Sequence, residues 1–169
     1  QWSSSAASDV YKRQVINFES SIKMKSKQKS LDKYVLYLET LNSSTINSLD
    51  DYVAENVRFK DPFNDVIGSE RMKAVFLHMF DNVEDVKFNV HRIYRNNDGG
   101  CLEWSFCGRL MNRNWSFDGT SIIILDNNGL VSEHIDHWDA ASSFFERIPI
   151  LGWMIKFIRK KIMITNDLK

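Results

Sequence analysis

The sequence predicts an α+β fold in which helices come first, an antiparallel sheet follows, and a last helix closes the chain. Three observations predict it. Apolar residues recur at helical spacing in the first part of the chain and again near its end. From Val86 to about residue 138 the apolar period is two, as in half-buried strands. The two-period segments are separated by "NNDGG", "MNRN" and "DNNG", sequences that reverse a chain.

The front reads as a leader over residues 1–30. Ser4 to Gln14, "SSAASDVYKRQ", reads as the translation of a transposase adapter used in sequencing libraries. Residues 1–14 are therefore set aside as a scar. This points to a metagenomic or transcriptomic assembly, with Met24 as the expected natural start. Residues 15–30 are polar and lysine-rich with no stable period, and are expected to be a mobile extension. No secretory leader is expected, since the front lacks an apolar run.

Leu31, Tyr34, Val35, Leu38 and Leu41 give a first helix, ended by "NSST". Ile46, Leu49, Tyr52 and Val53 give a short second one. A brief strand at 57–60 stops at "DPF", because Pro62 forces Asp61 into an extended or turn conformation. Gly68 breaks the chain, and Ser69 is the expected N-cap of a third helix carrying the stripe Met72, Val75, Phe76, Met79 and Phe80. Strands are predicted over 86–95, 101–110, 115–126 and 130–138, an antiparallel meander of four, or five with 57–60. After Asp139, the expected cap, a short helix over 140–146 leads to a break at Pro149 and a helix over 150–164. There Leu151, Met154, Ile155, Ile158 and Ile162 form one stripe, Trp153, Phe157 and Ile164 add apolar surface beside it, and the basic residues mostly take other faces. Three roles suit residues 147–169: covering the sheet, pairing with a second subunit, or lying on a membrane surface.

Composition excludes several classes. The 169 residues are 43% hydrophobic and 26% charged, enough for one domain with a core. Lys plus Arg and Asp plus Glu number 22 each, so the basic field of a nucleic-acid binder is absent. Cys101 and Cys107 on one strand stand about 20 Å apart, too far to bridge. They are read as reduced packing thiols of a cytoplasmic protein. No apolar run reaches the roughly 18 residues of a membrane span. Glycine-rich phosphate loops and nucleophile elbows are missing. His134 and His137 lie on opposite faces of one strand, and His78 and His91 lack ligand spacing, so neither metal nor cofactor is expected.

The order helix, helix, "FKDPF", "GSE" helix, four-stranded meander, "HIDHWD" resembles the nuclear transport factor 2-like superfamily, and within it the SnoaL-like, polyketide cyclase and steroid isomerase-like branch. The resemblance covers about residues 31–153 and rests on "RFKDPFNDVIGSERMKAVFLHMF", "CLEWSFCGRL", "DGTSIIILDNNGLVSEHIDHWD" and "FFERIPILGW". It implies a domain over 31–146 in which a curved sheet wraps the helices into a cone with an apolar interior and a few polar groups at depth. Such a pocket suits a small apolar, oxygenated molecule. The superfamily includes isomerases, cyclases, dehydratases, epoxide hydrolases and proteins without activity, so the fold does not choose a reaction.

Strand alternation sorts the side chains. Leu102, Trp104 and Phe106 form the more apolar face of their strand and are expected to line the cone, with Glu103 outside. Phe117, Gly119, Ser121 and Ile123 share a face, but Ile122 and Ile124 are equally apolar; the resemblance favours the Ser121 side as inward. His134, Asp136 and Trp138 share a face, inward by the same resemblance, opposite Ile135, His137 and Asp139. His134 and Asp136 then suit acid–base work, or structural hydrogen bonding. Asp61 matches the branch's general-base aspartate, or serves as a turn residue ahead of Pro62. Tyr34 falls where the branch carries an oxyanion-stabilising tyrosine, or is a core aromatic. Where the branch has a protonated aspartate, this chain has Ser121, which speaks against steroid isomerisation. Phe63, Trp104, Phe106, Phe117, Ser121 and Trp138 are the expected pocket wall. The rival to cofactor-free isomerase, cyclase, dehydratase or epoxide hydrolase chemistry is a non-catalytic module that binds a ligand or partner. It would dimerise through the outer sheet face, or touch a membrane through residues 150–164.

Overall fold

The computed structural model describes residues 4–163, with the side chains of 11–16, 18 and 20–163. Helix α1 (Ser4–Glu39) and a 3-10 turn (Ile46–Asp51) lead into β1 (Val53–Lys60) and β2 (Asp65–Ile67). Helix α2 (Ser69–Asn82) precedes β3 (Val83–Asn96), β4 (Gly99–Leu110), β5 (Arg113–Leu125) and β6 (Val131–Trp138). A single turn α3 (Ala140–Ser143), a 3-10 turn (Phe145–Arg147) and α4 (Pro149–Ile162) finish the described chain. The class is α+β, with a curved open sheet and helices before and after it.

The sheet has six strands in the order β2-β1-β6-β5-β4-β3, two more than the four-stranded meander. The added strands come from the "DPF" region. Around Pro62 the chain reverses, and β2 pairs antiparallel with β1. Strand β1 then lies parallel to β6, so the sheet is not wholly antiparallel. No local period announces a parallel pairing between segments so far apart in the chain. Bulges in β3 between Glu84 and Lys87 and between Val90 and Arg92 curve the far edge. Strands β4 and β5 join through Met111 and Asn112, both at positive φ, as a tight two-residue hairpin requires.

The core fills the space between the concave face and the helices. Leu31, Tyr34, Val35 and Leu38 of α1, Ile46 and Leu49, and Met72 of α2 meet Phe59, Leu102, Trp104, Phe106, Ile123, Leu125 and Val131 of the sheet. On β4 the more apolar face, Leu102, Trp104 and Phe106, is the buried one, and on β5 the Ser121 side is inward, as the resemblance implied: Ser121 and Ile123 are buried while Ile122 and Ile124 are exposed.

Several boundaries differ from expectation. Helix α1 runs back to Ser4 through the segment read as a mobile leader. Its N-terminal part has no amphipathic stripe, which is why no helix was legible there, yet Lys27 is buried. The Lys27 ammonium donates to Asp98 Oδ1 at 2.8 Å and to the Leu125 carbonyl at 3.2 Å. Gly68, not Ser69, is the N-cap of α2, and Ser69 is its first, buried residue. The helix expected over 140–146 is one turn of α-helix followed by a 3-10 turn; Asp139 caps it, accepting from Ser142 N at 3.1 Å. The last helix ends at Ile162, and Ile164 lies outside the described residues. No described helix is long and apolar enough to cross a membrane.

Candidate functional site

Adjacent strands bring the polar residues of the cone together. Ser121 of β5 stands opposite Asp136 of β6, and in the parallel pair Phe59 of β1 stands beside His134. Opposite Trp104 of β4 is Gly119 of β5, where a side chain would overlap the indole ring. With only a hydrogen there, the indole lies over the strand and its Nε1 reaches Ser121. From the helix side, Tyr34 of α1 faces His134.

These side chains form one hydrogen-bonded chain. Trp104 Nε1–H donates to Ser121 Oγ at 2.7 Å, and the Ser121 hydroxyl donates to Asp136 Oδ1 at 2.5 Å. His134 Nε2 lies 2.8 Å from the same Oδ1, and His134 Nδ1 lies 2.6 Å from the Tyr34 hydroxyl. The indole has only a donor, so the serine must spend its own proton on the carboxylate. A carboxylate oxygen accepts, so the tautomer that satisfies both contacts has His134 Nε2–H donating to Asp136 and Nδ1 accepting from the Tyr34 hydroxyl. Every donor thus points toward Asp136.

Burial makes this direction firm. His134 is 2% exposed, and Tyr34, Ser121 and Trp104 are equally enclosed. Enclosure, the Asp136 charge and Tyr37 push the Tyr34 phenol well above its ordinary range, so it stays a neutral donor. The Phe59 ring stands edge-on to the imidazole at 5.3 Å, and the Tyr34 ring at 5.8 Å. These contacts hold the imidazole plane.

Asp136 is the open end of the chain. Its side chain keeps 14% exposure. Among the described residues Oδ2 accepts no hydrogen bond, and no buried side-chain oxygen or nitrogen lacks a partner. Oδ2 therefore keeps some contact with solvent. One carboxylate oxygen is fixed by two donors, and the other is left for a ligand or water.

Asp61 is not joined to this chain. It follows the end of β1, whose last pair with β6 is Lys60–Ile135. Its Oδ1 accepts from Phe63 N at 2.7 Å, Asn64 N at 2.6 Å and Asn64 Nδ2 at 3.1 Å. The carboxylate holds the turn that begins at Pro62.

Of the expected wall residues Ser121, Trp104 and Phe106 are buried, Phe117 and Trp138 partly buried, and Phe63 is half exposed. Phe63, Trp138, Phe117, Trp104 and Phe106 pack ring on ring. Phe63 meets Trp138 at 5.3 Å, Trp138 stacks on Phe117 at 4.4 Å, and Phe117 meets Phe106 at 4.9 Å and Trp104 at 6.0 Å. Phe144 covers Phe63 at 5.1 Å. Two surface clefts lie elsewhere, one of about 350 Å³ between α1 and the β3–β4 turn and one of about 450 Å³ along α4. Phe63, at 46% exposed, is the least held of the rings. Among the described residues no group of three or more His, Cys, Asp or Glu converges as a metal site.

Residues 35–134 match the model of the SnoaL-like domain. The chain belongs to that family. Solved structures of the same fold include an LEH-like epoxide hydrolase of M. tuberculosis, at 12% identity and TM-score 0.59, covering 84% of this chain and 96% of that one. A protein of Jannaschia sp. CCS1 described as a SnoaL-like polyketide cyclase has 11% identity and TM-score 0.61, covering 70% and 89%. Another so described, from Shewanella putrefaciens CN-32, has 15% identity and TM-score 0.60, covering 73% and 96%. At these identities the likeness carries the SnoaL-like fold alone. No curated protein matches the chain.

The sequence reading missed Phe59 and Phe144. Phe59 was findable from alternation with Val57, but its place beside His134 follows from the parallel pairing. Phe144 sits in the irregular segment after β6, where no period exists to read.

Proposed function

We propose that this SnoaL-like chain binds a small, apolar, oxygenated molecule at Asp136 and performs cofactor-free acid–base chemistry on it. The reaction class is isomerisation, cyclisation, dehydration or epoxide opening. One observation carries the reading: a buried hydrogen-bonded chain of Trp104, Ser121, His134 and Tyr34 that ends on Asp136 Oδ1, with Oδ2 accepting no hydrogen bond among the described residues and partly solvent-exposed. Asp136 takes or gives the proton at Oδ2. A carboxyl protonated there still presents Oδ1 as an acceptor, so Ser121 and His134 keep their bonds in both states. Proton transfer then requires no rearrangement of its surroundings, the condition that favours a low barrier. His134 orients the carboxylate. Tyr34 acts as a positioning residue, because its hydroxyl is committed to His134 Nδ1. Asp61 shapes the turn that carries Phe63, and the rings of Phe63, Phe117 and Trp138 give the ligand an apolar wall once Phe63 moves. The names of the epoxide hydrolase and polyketide cyclase structures support the reaction class.

Asp136→Asn tests the reading. The amide oxygen can accept from both Ser121 and His134, so the fold is kept while the base is lost. Turnover of epoxide, β-hydroxyketone and enolisable ketone probes is expected to fall roughly 100-fold or more. Turnover unchanged by the substitution would exclude Asp136 as acid or base. The ring packing favours a second reading, a non-catalytic ligand-binding module. It predicts ligand-induced tryptophan fluorescence changes that are equal in wild type and variant, with no turnover by either.

A further inference from the structure

We infer that α4 is an interfacial helix that docks on the surface of an anionic membrane. The helix reaches the domain by one side only. Gly152 is buried against the backbone of Glu146, where a side chain would overlap the carbonyl. Arg159 donates to Glu146 Oε1 at 2.7 Å and to Asp139 Oδ2 at 3.1 Å. Leu151 and Ile155 are half-buried on the same side. At 100° per residue, the opposite side carries Ile150, Trp153, Met154 and Phe157. All four are exposed, Ile150 by 84% and Trp153 by 70%.

Charge identifies the occupant. Lys156, Lys160 and Lys161 flank or lie among the apolar residues and form no ion pair among the described residues. Lys161 sits 4.7 Å over the Phe157 ring, which in turn stacks on Trp153 at 6.0 Å. From Arg147 to Met163 there is no acidic residue. A second copy paired through this face would bring like charges together with no carboxylate on either helix to offset them. Lipid phosphates and carboxylates provide that counter-charge, and acyl chains take the indole and phenyl rings. The 14 residues span about 21 Å, too short to cross a bilayer but suited to lying in its surface. This inference does not depend on the acid–base reading.

The test is co-sedimentation of the full chain with vesicles of phosphatidylcholine alone or containing phosphatidylserine, at low and high salt. The expected result is binding to the anionic vesicles that weakens with salt. Trp153→Ala with Phe157→Ala lowers partitioning on the order of tenfold. Lys160→Glu with Lys161→Glu lowers it roughly fivefold per lysine. The altered side chains are exposed, so far-UV circular dichroism stays unchanged. A chain that remains in the supernatant with anionic vesicles overturns the inference, as does partitioning indifferent to both variants. A concentration-dependent dimer abolished by Trp153→Ala with Phe157→Ala also overturns it, by assigning the face to a second copy.

Discussion

Tyr34→Phe removes one oxygen and almost nothing else. The ring keeps its place in the core, so no cavity opens. What is lost is the 2.6 Å bond to His134 Nδ1, and that nitrogen has no access to water, its residue being 2% exposed. Leaving a buried acceptor without a donor costs about 1–3 kcal/mol. For a chain of this size that is a drop in Tm of roughly 3–9 °C. The control is Tyr37→Phe on the same helix. Its hydroxyl makes only long bonds, 3.3 Å to the Thr45 carbonyl and 3.4 Å to the Ile46 carbonyl, so its loss costs under about 1 kcal/mol. Urea denaturation of both variants measures the difference. The alkaline limb adds a second readout. The folded chain holds the Tyr34 phenol neutral above its ordinary range, whereas the unfolded chain ionises it near pH 10. The Tyr34 contribution is therefore complete below pH 10, and wild type then loses about 1.4 kcal/mol per pH unit from this group as pH rises. Tyr34→Phe lacks that slope, so the gap between the proteins closes on the alkaline side. The reasoning is refuted if Tyr34→Phe is as stable as wild type at neutral pH, or costs less than Tyr37→Phe.

Two further perturbations test other parts of the structure. Gly119→Ala places a methyl group against the Trp104 ring and pushes the indole off Ser121, at a cost of about 1–3 kcal/mol, read by urea denaturation with Trp fluorescence. Truncations separate the two views of the front of the chain. Removal of residues 1–22 is expected to leave the thermal midpoint unchanged, whereas removal of 1–30 lowers it, because Lys27 and its bonds to Asp98 and Leu125 go with the longer deletion. Equal midpoints for the two truncations would return residues 23–30 to the status of a loose extension.

The strands were legible because alternation is local: it sorts each strand into two faces, and on β4 the more apolar set, Leu102, Trp104 and Phe106, is the buried one, whereas on β6 the resemblance chose the His134 face. The Cys101, Glu103, Ser105 face could be discounted on the same ground. On β5 the pattern was silent, since both faces are apolar near Ile122–Ile124, and the resemblance decided it correctly. Residues 15–30 gave no helical signature because a helix with no amphipathic stripe leaves none in composition. Its order is reported by contacts with the β3–β4 and β5–β6 turns, which are distant in sequence. For Asp61 the motif left two roles open, base or turn residue, and Phe63 N and Asn64 N, two and three residues on, donate to its Oδ1.

The sequence by itself determined the order of helices and strands, the inward face of β4, the cap at Asp139 and the placing of His134 with Asp136 on one face. All of these depend on groups a few residues apart. Only the tertiary structure decided that Tyr34 serves His134, 100 residues away, and that Trp104 and Ser121 feed the same carboxylate. It alone placed β1 parallel to β6 and closed the aromatic rings over the cone. Those outcomes depend on how α1 seats in the curved sheet and on which strand edges meet, and no local period encodes either.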